Sequence, residues 1–372
     1  MERGKIIPFR HPGRERRRVA VFLAVLAVIA LVLAFFAVDS GRNWDRVRRF
    51  FAYGSKTLQI SMDSAPGAVE ELSGNLVVAD LDGVTLYDGN GKEAFVASAN
   101  LSSPVLQTTK SLILAYDAGG KELMLLDKSG AQLLTDSPPG VIFDADLAPD
   151  GSMCYVSSAP RSKSQLQVYD REHLPCFTVY ASTRYLTGCA VAKGADYVCA
   201  VALGASEGTF ASRALVYNTG REEPVAEVLL GNQLIFDINF WGDDTICALG
   251  EEELIIFNLK GQILGRYATE GMVNYSLEGD GFAALVFQEG AGHVLVTVDA
   301  KGRELGRAEL GASSQVDVRG KYVAYLTSDG LTVSGKKLEP WSGVGETGST
   351  LCICADGAAY LVGNQSATRY LP

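Results

Sequence analysis

One short phrase returns along most of the chain and restricts the possible fold more than any other feature. Each copy has apolar residues followed by Asp or Asn, and all but one have a Gly soon after. Asp and Asn side chains accept backbone hydrogen bonds at the start of a turn, and Gly adopts positive φ without strain. Each phrase therefore predicts a strand that runs into a hairpin. The copies are Leu86-Tyr87-Asp88, Leu125-Leu126-Asp127, Val168-Tyr169-Asp170 (without Gly), Val216-Tyr217-Asn218, Ile256-Phe257-Asn258 and Thr297-Val298-Asp299.

The most apolar strand of each repeat sets the period. Successive strands of this kind start 36, 41, 44, 48, 37, 40 and 36 residues apart. Periods near 40–45 residues with four strands each are typical of propeller blades. We therefore predict an all-β fold, a β-propeller of eight four-stranded blades, or of seven if the weak first unit from Val69 is irregular. The predicted strands are Leu76–Asp80, Leu112–Tyr116, Met153–Ser157, Tyr197–Leu203, Thr245–Leu249, Phe282–Phe287, Tyr322–Leu326 and Ala358–Val362.

The two ends of the repeat region predict how the ring closes. The last unit is one strand short, since only Ala367–Leu371 remains after its first two strands. The β-like run Thr57–Met62 has no blade of its own. Pairing these two segments completes a mixed last blade and leaves no bare strand edge.

An uncharged segment of twenty residues, Val19–Val38, precedes the repeats. As a helix it would extend roughly 30 Å, the thickness of a bilayer core. A cleaved signal peptide is less favoured, because the apolar run is long and no Ala-x-Ala site closes it. A buried core helix is less favoured beside a β body. We therefore predict one N-terminal transmembrane helix that contacts membrane lipid through residues 19–38.

Charge predicts the topology of this anchor. Seven Lys and Arg precede the apolar run and five follow it, which favours a cytoplasmic N-terminus and an extracytoplasmic propeller in the cell membrane. The predicted organisation is a basic cytoplasmic tail (1–18), a transmembrane helix (19–38), a juxtamembrane segment (39–56) and a β-propeller domain (57–372). The aromatic and Arg-rich stretch Trp44–Tyr53 fits either an amphipathic piece in the headgroup layer or a continuation of the helix.

The remainder of the chain is acidic. Residues 1–56 hold 12 Lys and Arg against 4 Asp and Glu, whereas residues 57–372 hold 21 against 39. A net charge of −18 on the body repels phosphates and argues against a nucleic-acid partner. The seven Cys residues have no motif spacing and give no disulfide framework.

The repeats resemble known propellers. The Ala148-Pro149-Asp150-Gly151 turn and the Tyr-Asp-x-x-Gly phrase are similar to those of WD40-like and quinoprotein-like bacterial propellers. The whole layout resembles an uncharacterised bacterial family of single-pass membrane proteins with a domain of unknown function. The resemblance implies the propeller fold and the anchor and supplies no functional residues. No Trp-Asp dipeptide ends the repeats, so the chain departs from true WD40 repeats.

Two stretches match catalytic motifs, but neither predicts a catalytic site. Gly204-Ala205-Ser206-Glu207-Gly208 has the pattern of a hydrolase elbow, but Phe210–Asn218 continues as a strand where the elbow needs a helix. We therefore expect a hairpin loop there. The run from Gly330 to Lys337 begins like a P-loop, but Lys337 replaces the Ser or Thr that reaches magnesium and no helix follows.

The remaining polar residues give no metal site, cofactor or catalytic set. His11, His173 and His293 are too scattered for zinc. Asp144, Asp146 and Asp150 miss the spacing of a calcium loop and are interpreted as turn acids. Polar candidates on the predicted inner strands are Asp237, Asn239 and Asp317, and they form no convincing cluster in the sequence.

Two functions remain in competition. We favour a membrane-tethered scaffold that binds a protein or a cell-envelope polymer on a propeller rim. The alternative is a propeller enzyme, a quinoprotein-like oxidoreductase or a hydrolase, with its site in the central channel. A channel lined by Asp, His and Arg would favour the enzyme, and an apolar or Ser/Ala-lined channel would favour the scaffold. A sensor with the tail as output is less favoured, because 18 residues are too few for a domain.

Overall fold

The computed structural model describes residues 22–23, 25–30, 58–134, 137–206, 208–345, 348 and 350–370. The chain divides into two compact units, 1–56 and 57–372. In the first unit, residues 22–23 and 25–30 are helical and exposed. Within the described residues, no helix is both long and apolar enough to cross a bilayer. Most of the predicted span 19–38, together with the tail 1–18 and the segment 39–56, lies outside the described residues.

The second unit is built from antiparallel strands, 31 of them in the described part of the chain. They form eight sheets, and each sheet is one blade. In chain order the strands are β1 (Leu58–Ser61), β2 (Ala68–Leu72), β3 (Asn75–Asp80), β4 (Gly83–Tyr87), β5 (Glu93–Ser98), β6 (Pro104–Thr108), β7 (Leu112–Asp117), β8 (Leu123–Asp127), β9 (Ile142–Leu147), β10 (Met153–Ala159), β11 (Ser162–Tyr169), β12 (Pro175–Ala181), β13 (Tyr185–Val191), β14 (Tyr197–Ser206), β15 (Thr209–Asn218), β16 (Ala226–Gly231), β17 (Ile235–Trp241), β18 (Thr245–Gly250), β19 (Glu253–Asn258), β20 (Ile263–Ala268), β21 (Met272–Ser276), β22 (Phe282–Glu289), β23 (Gly292–Asp299), β24 (Glu304–Gly311), β25 (Val316–Arg319), β26 (Tyr322–Thr327), β27 (Gly330–Ser334), β28 (Pro340–Val344), β29 (Thr350–Ile353), β30 (Ala359–Val362) and β31 (Ser366–Tyr370).

The strands follow the predicted order. Blade 1 is β2–β5, blade 2 is β6–β8, and blades 3 to 7 take the following strands in groups of four. All eight apolar strands predicted from the sequence are the second strands of their blades. The weak first unit forms a complete blade, so the ring has eight blades rather than seven.

Blade 8 closes the ring as predicted. Its order is β29-β30-β31-β1, so the first strand of the propeller supplies the outermost strand of the last blade. β1 pairs antiparallel with β31, with Ile60 opposite Ala367. Ile60 is fully buried in the cluster that joins blade 8 to blade 1. The same burial joins every other neighbouring pair, since eight apolar clusters of described residues lie one between each two successive blades.

The repeated phrase forms the turn from the third to the fourth strand. The Asp88 carboxylate accepts hydrogen bonds from the backbone N–H of Asn90 and Lys92, at 2.8 and 2.9 Å. Gly91 follows with φ of 77°. Asp127, Asp170, Asn258 and Asp299 make the same pair of bonds in their blades. In the copy without Gly, His173 takes the positive-φ position, with φ of 62°.

Blade 2 departs from the prediction of four strands. Its described sheet has three, and the place of the fourth is taken by a single bridge between Leu126 and Gln132. Pro138 and Pro139 follow shortly afterwards. Proline has no N–H to donate to a strand ladder, which explains why regular pairing does not extend here.

The two ends of the ring differ in their connections. Because neighbouring strands run antiparallel, the links between blades and the turns from second to third strands lie at one end, here called the upper rim. The turns from first to second and from third to fourth strands lie at the other end, the lower rim. Since β1 occupies a fourth-strand position, its first residue, Leu58, lies at the lower rim.

Candidate functional site: the central channel and its upper rim

The innermost strands stand side by side and parallel around the channel. The Asp144 carboxylate in β9 accepts a hydrogen bond from the Cys189 N–H in β13, at 2.8 Å. Two residues further on, Asp146 accepts one from the Val191 N–H, also at 2.8 Å. A constant offset between two neighbouring strands shows that they run in the same direction. These carboxylates therefore tie blade 3 to blade 4 from the channel side.

The same tie recurs around the ring. Asp317 in β25 accepts bonds from its own neighbour Val318 and from Ile353 of blade 8, at 2.8 and 2.7 Å. Asn274 in β21 accepts from Tyr275 and donates to the Ser314 carbonyl of the link to blade 7. Each of these side chains forms a hydrogen bond with a backbone group of the next blade that has no partner in its own sheet. Buried polar groups in proteins usually have such partners.

Arg319 crosses the lower part of the channel. Its guanidinium, carried by blade 7, lies 3.0 Å from Glu70 and 3.3 Å from Glu71 of blade 1. It also donates to the Thr108 hydroxyl of blade 2 at 2.8 Å. Blade 8 lies between blades 7 and 1, so Arg319 links blades that are not neighbours. Its partner Glu71 is almost completely buried, with 2% of its side chain exposed.

Carboxylates outnumber this cation in the channel. Asp237 of blade 5 feels the charges of Asp144 and Glu278, from blades 3 and 6. Glu70 feels Asp317 and Glu278 as well as Arg319. Charges on five different blades interact only if their side chains converge on the axis. The acidic channel is therefore defined by Glu70, Asp144, Asp146, Asp237, Glu278 and Asp317, opposed by Arg319.

Burial raises the pKa of these carboxyl groups. Loss of hydration is the main cause for Asp237, and neighbouring negative charge adds to it, so its pKa rises to about 8. Burial followed by the Asp317 charge raises the pKa of Glu70 to about 8 despite Arg319. Burial raises the pKa of Asp146 to about 7 and those of Asp144 and Asp317 to about 6, with backbone N–H bonds opposing the rise. These side chains are only partly exposed to solvent.

The structure brings together all three polar residues that the sequence placed on inner strands. Asp237, Asn239 and Asp317 line the channel, and Asn239 donates to Glu278 at 3.0 Å. The turn interpretation is wrong for Asp144 and Asp146, which lie in β9, because this innermost strand faces a polar channel rather than an apolar core. It holds for Asp150, whose carboxylate caps the turn at Ser152 and also binds the Gly194 N–H. The sequence analysis missed Glu70, Glu278 and Arg319.

The channel residues that the structure describes offer acid–base groups. The described inner strands contain no His. Among the described residues, no group of three His, Cys, Asp or Glu side chains has the geometry to hold a metal ion. The G-x-S-x-G run is part of the hairpin between β14 and β15, as predicted, and Gly330–Ser334 is strand β27. The seven Cys are free thiols, and all but Cys176 are buried.

A β-bulge interrupts the innermost strand in four consecutive blades, 3 to 6. In blade 5, Ile235 and Asp237 pair with successive residues of β18, so Phe236 is the extra residue. The other three first strands have their register shifts at the same place. The first strands of blades 1, 2, 7 and 8 pair without a shift. The extra residues, here called the bulge crescent, are Phe143, Thr187, Phe236 and Val273.

The bulge crescent lies at the upper mouth of the channel and is exposed. Phe236 exposes 53% of its surface and Val273 49%. A bulge turns a side chain away from the regular alternation of a strand, and bulges are frequent beside functional sites. Here each one lifts a side chain out of the blade interface toward solvent, directly before a channel residue such as Asp144 or Asp237.

Comparison with known proteins identifies the family. The sequence profile of a family of unknown function (DUF5711) matches residues 52–336. The chain belongs to this family. The match spans the propeller through the third strand of blade 7, so the family is defined mainly by the ring. No curated protein matched the chain.

Solved structures share the fold at low sequence identity. BamB from Moraxella catarrhalis is 16% identical, with a TM-score of 0.50, and the match covers 84% of this chain and 95% of BamB. The C-terminal WD40 domain of Sif2 is 13% identical, with a TM-score of 0.56, and the match covers 86% of this chain and 100% of that domain. At this identity the likeness shows the propeller fold alone.

Proposed function

We propose that this protein is a binding scaffold, a membrane-anchored propeller that holds a protein or polymer partner on its upper rim. The observation that carries the proposal is the concentration of exposed large hydrophobic side chains on the upper rim of blades 3 to 6. Besides the bulge crescent, Tyr180, Phe210 and Leu234 belong to this rim, with 65, 46 and 45% of their surfaces exposed. Exposed apolar surface concentrated on one side of a domain is typical of an interaction site.

Rigidity of the ring supports the same function. Apolar clusters between blades and the polar ties inside the channel fix the strands from both sides. A rigid frame loses little conformational entropy when it binds, so the rim presents a preformed surface. The chain enters the propeller at Leu58, on the lower rim. The upper rim is therefore the end of the ring away from this entry point.

Photo-crosslinking in intact cells tests the scaffold. A photoreactive Phe analogue is placed at Phe236 on the upper rim and, as a control, at Leu174 on the lower rim, which is 61% exposed. The full chain is expressed in its native host. Discrete adducts from position 236 and none from 174 are expected. Equal adduct patterns at the two positions, or none at either, would contradict a binding surface on the upper rim.

Localisation is part of the proposal. The basic tail 1–18, the uncharged segment 19–38 and the seven-to-five charge distribution support a single-pass anchor with the propeller outside the cytoplasm. Protease added to cells stripped of their wall is expected to digest the propeller while a cytoplasmic control survives. Protection of the propeller until the membrane is opened would reverse the topology and direct the search to intracellular partners.

A second candidate, a propeller enzyme, draws support from the acidic channel. A carboxyl group with a pKa near neutrality, such as Asp237 or Glu70, can donate or accept a proton at physiological pH. Against it, Asp144 and Asp317 are already engaged by backbone N–H groups of the next blade. Turnover of a model substrate that is lost in Asp237→Asn and Glu70→Gln but kept in Phe236→Ser would favour the enzyme over the scaffold.

A further inference from the structure

The bulge crescent and the acidic channel are adjacent in sequence and in space. Phe143 precedes Asp144, Phe236 precedes Asp237, and Val273 precedes Asn274. In blades 3, 5 and 6 the exposed side chain of the bulge therefore stands at the mouth of the channel, directly before a polar channel residue. Blade 4 differs, because its bulge residue is Thr187 and Gly188 follows it.

We propose that the bulge crescent and the acidic channel together bind an extended segment of a partner protein. Apolar side chains of the segment cover Phe143, Phe236 and Val273, and a Lys or Arg side chain of the segment enters the channel. The inference rests on the proposed scaffold function and adds the chemistry of the partner.

Exposure of the crescent indicates a missing partner rather than a packing defect. In blades 7 and 8, Val316 and Leu351 at the start of the unbulged first strands are 7% and 6% exposed. The residues that precede the channel position in blades 5 and 6, Phe236 and Val273, are extra in the pairing and are 53% and 49% exposed. The bulges therefore hold apolar surface in solvent. Covering such side chains contributes about 25 cal/mol for each Å² removed from water.

The negative charge of the channel determines which polar side chain of the partner can enter it. Arg319, the one cation on the inner strands that the structure describes, is committed to Glu70 and Glu71 near the lower end. Asp144 and Asp237 at the upper end therefore meet a ligand from the crescent side with no cation of the described inner strands beside them. A Lys or Arg side chain supplies the complementary charge in a site of low polarity, where such attraction is strong.

An anionic partner fits this surface poorly. Nucleic acids and phosphate-bearing wall polymers would bring negative charge to a body that already carries −18. Neutral sugars would leave the channel charge unanswered. A polypeptide combines apolar and cationic side chains at the spacing of an extended chain, about 3.3 Å per residue, so it can place one on the crescent and the next over the channel.

Selection from a library of short random peptides tests the proposal. The target is the full chain in detergent micelles, and the probes are the peptides themselves. Enriched sequences are expected to combine aromatic or aliphatic residues with Lys or Arg. Enrichment of acidic or neutral sequences, or no enrichment at all, would overturn the proposal.

Matched variants locate the binding of the enriched peptides. Phe236→Ser removes crescent surface, and Asp237→Asn removes a channel carboxyl group whose pKa is about 8. Measured at about pH 9, where this carboxyl group is ionised, each variant is expected to bind roughly tenfold more weakly or worse. Leu174→Ser and Glu223→Gln change exposed residues of the lower rim and are expected to stay within about twofold of the unchanged protein. A uniform loss across all four variants would indicate diffuse charge attraction and would overturn the site.

The outcome separates this proposal from the scaffold function on which it rests. Adducts of a wall polymer at position 236, with no peptide enriched, would leave the scaffold standing and reject the peptide partner. Absence of adducts at position 236 would reject the scaffold, and the peptide site with it.

Discussion

At the scale of single residues, backbone geometry decides which side chains a turn accepts. Four of the repeated phrases place Gly at a position of positive φ, where residues with a side chain are strained. His173 occupies the same position in blade 3, with φ of 62°. Its Nε2 atom is also buried without a hydrogen-bond partner. This copy of the turn is therefore the least favourable of the set.

Replacing His173 by Gly is expected to stabilise the protein. The change removes the left-handed strain and the unpaired Nε2 atom, and the greater freedom of Gly in the unfolded chain offsets part of the gain, so about 0.5 kcal/mol should remain. Equilibrium unfolding in urea measures it. Gly302→Ala is the matched control. A Cβ there would lie 2.3 Å from the Arg266 carbonyl oxygen, and it should destabilise by at least about 2 kcal/mol. A destabilised His173→Gly would contradict the explanation.

Removing the Arg319 charge is expected to cost much more than removing a surface arginine. In Arg319→Met the nearly buried Glu71 loses its cationic partner, which should lower the free energy of unfolding by on the order of 3 kcal/mol. Arg303→Met breaks a pair with Asp299 in which Arg303 is 67% exposed, and it should leave the free energy of unfolding almost unchanged. Similar losses in the two variants would show that the channel pair is no stronger than a surface pair.

At the scale of elements, β1 carries the closure of the ring. Its residue Ile60 fills the interface between blades 8 and 1, whereas its neighbour Gln59 is exposed. The strand is only four residues long, so the burial of one side chain accounts for much of its attachment.

Ile60→Ala should lower the free energy of unfolding by about 2–5 kcal/mol, because it leaves a cavity between two blades. Gln59→Ala should have little effect. Thermal unfolding of the two variants measures the difference. As a second test, a chain that starts at residue 57 should unfold in one transition, and one that starts at residue 63 should lose that cooperativity. An unchanged transition in the shorter chain would show that β1 is dispensable.

Sequence patterns predicted most strands and turns because the same local signals recur in successive blades. Apolar second strands, Asp-initiated turns and the unpaired terminal strands are each visible without knowledge of contacts. The bulges are not. In Ile235-Phe236-Asp237-Ile238, alternation groups Phe236 with Ile238 on one face, yet Phe236 is 53% exposed and Ile238 only 3%. One extra residue shifts the alternation, and the choice depends on pairing with β18 rather than on local composition.

The channel could be predicted only in part for a similar reason. Asp237 and Asp317 stand out because they interrupt apolar strands. Glu70 and Glu278 do not, since Glu70 is followed by another Glu and Glu278 lies in a turn. Their meeting with Arg319 requires the ring to close, which brings residues 249 positions apart within hydrogen-bonding distance. Alignment of the repeats on their second strands would have grouped Asp237 with Asn274, each eight residues before the start of its second strand, but not Asp317, which lies five residues before β26.

At the scale of the whole molecule, the acidic channel links stability to pH. The pKa of Asp237 rises from 3.8 to about 8 on folding, and that of Glu70 from 4.5 to about 8. Between these values the folded protein binds more protons than the unfolded chain, so these groups make stability fall as pH rises. Turn carboxylates act in the opposite direction at lower pH. Backbone N–H groups, first that of Lys92, lower the pKa of Asp88, whose contribution is lost as pH falls below about 4.

Asp237→Asn should weaken the dependence of stability on pH. The melting temperature of the variant is expected to match that of the unchanged protein below about pH 4 and to exceed it increasingly up to about pH 8, because the unfolded chain loses the Asp237 proton in this range while the folded protein keeps it, and Asn has no proton to lose. Asp243→Asn, in an exposed turn of the same blade, is the control and should leave the profile unchanged. A parallel profile for Asp237→Asn would remove Asp237 from the titrating groups. The groups that face Asp237 are Asp144, Asp146, Cys247, Tyr275 and Glu278.

The mixed composition of blade 8 also governs how the protein is made. Its outer strand is synthesised almost first, at residues 58–61, and its three inner strands almost last, at residues 350–370. At synthesis rates of about 5–20 residues per second, tens of seconds pass between the two. Throughout that time β1 has no partner strand, and the open arc exposes the apolar faces of blades 7 and 1 that blade 8 later covers. We therefore expect newly made chains to depend on a chaperone that shields apolar surface until release. Mutations in the last blade should cause aggregation during synthesis more than loss of binding by chains that have already folded.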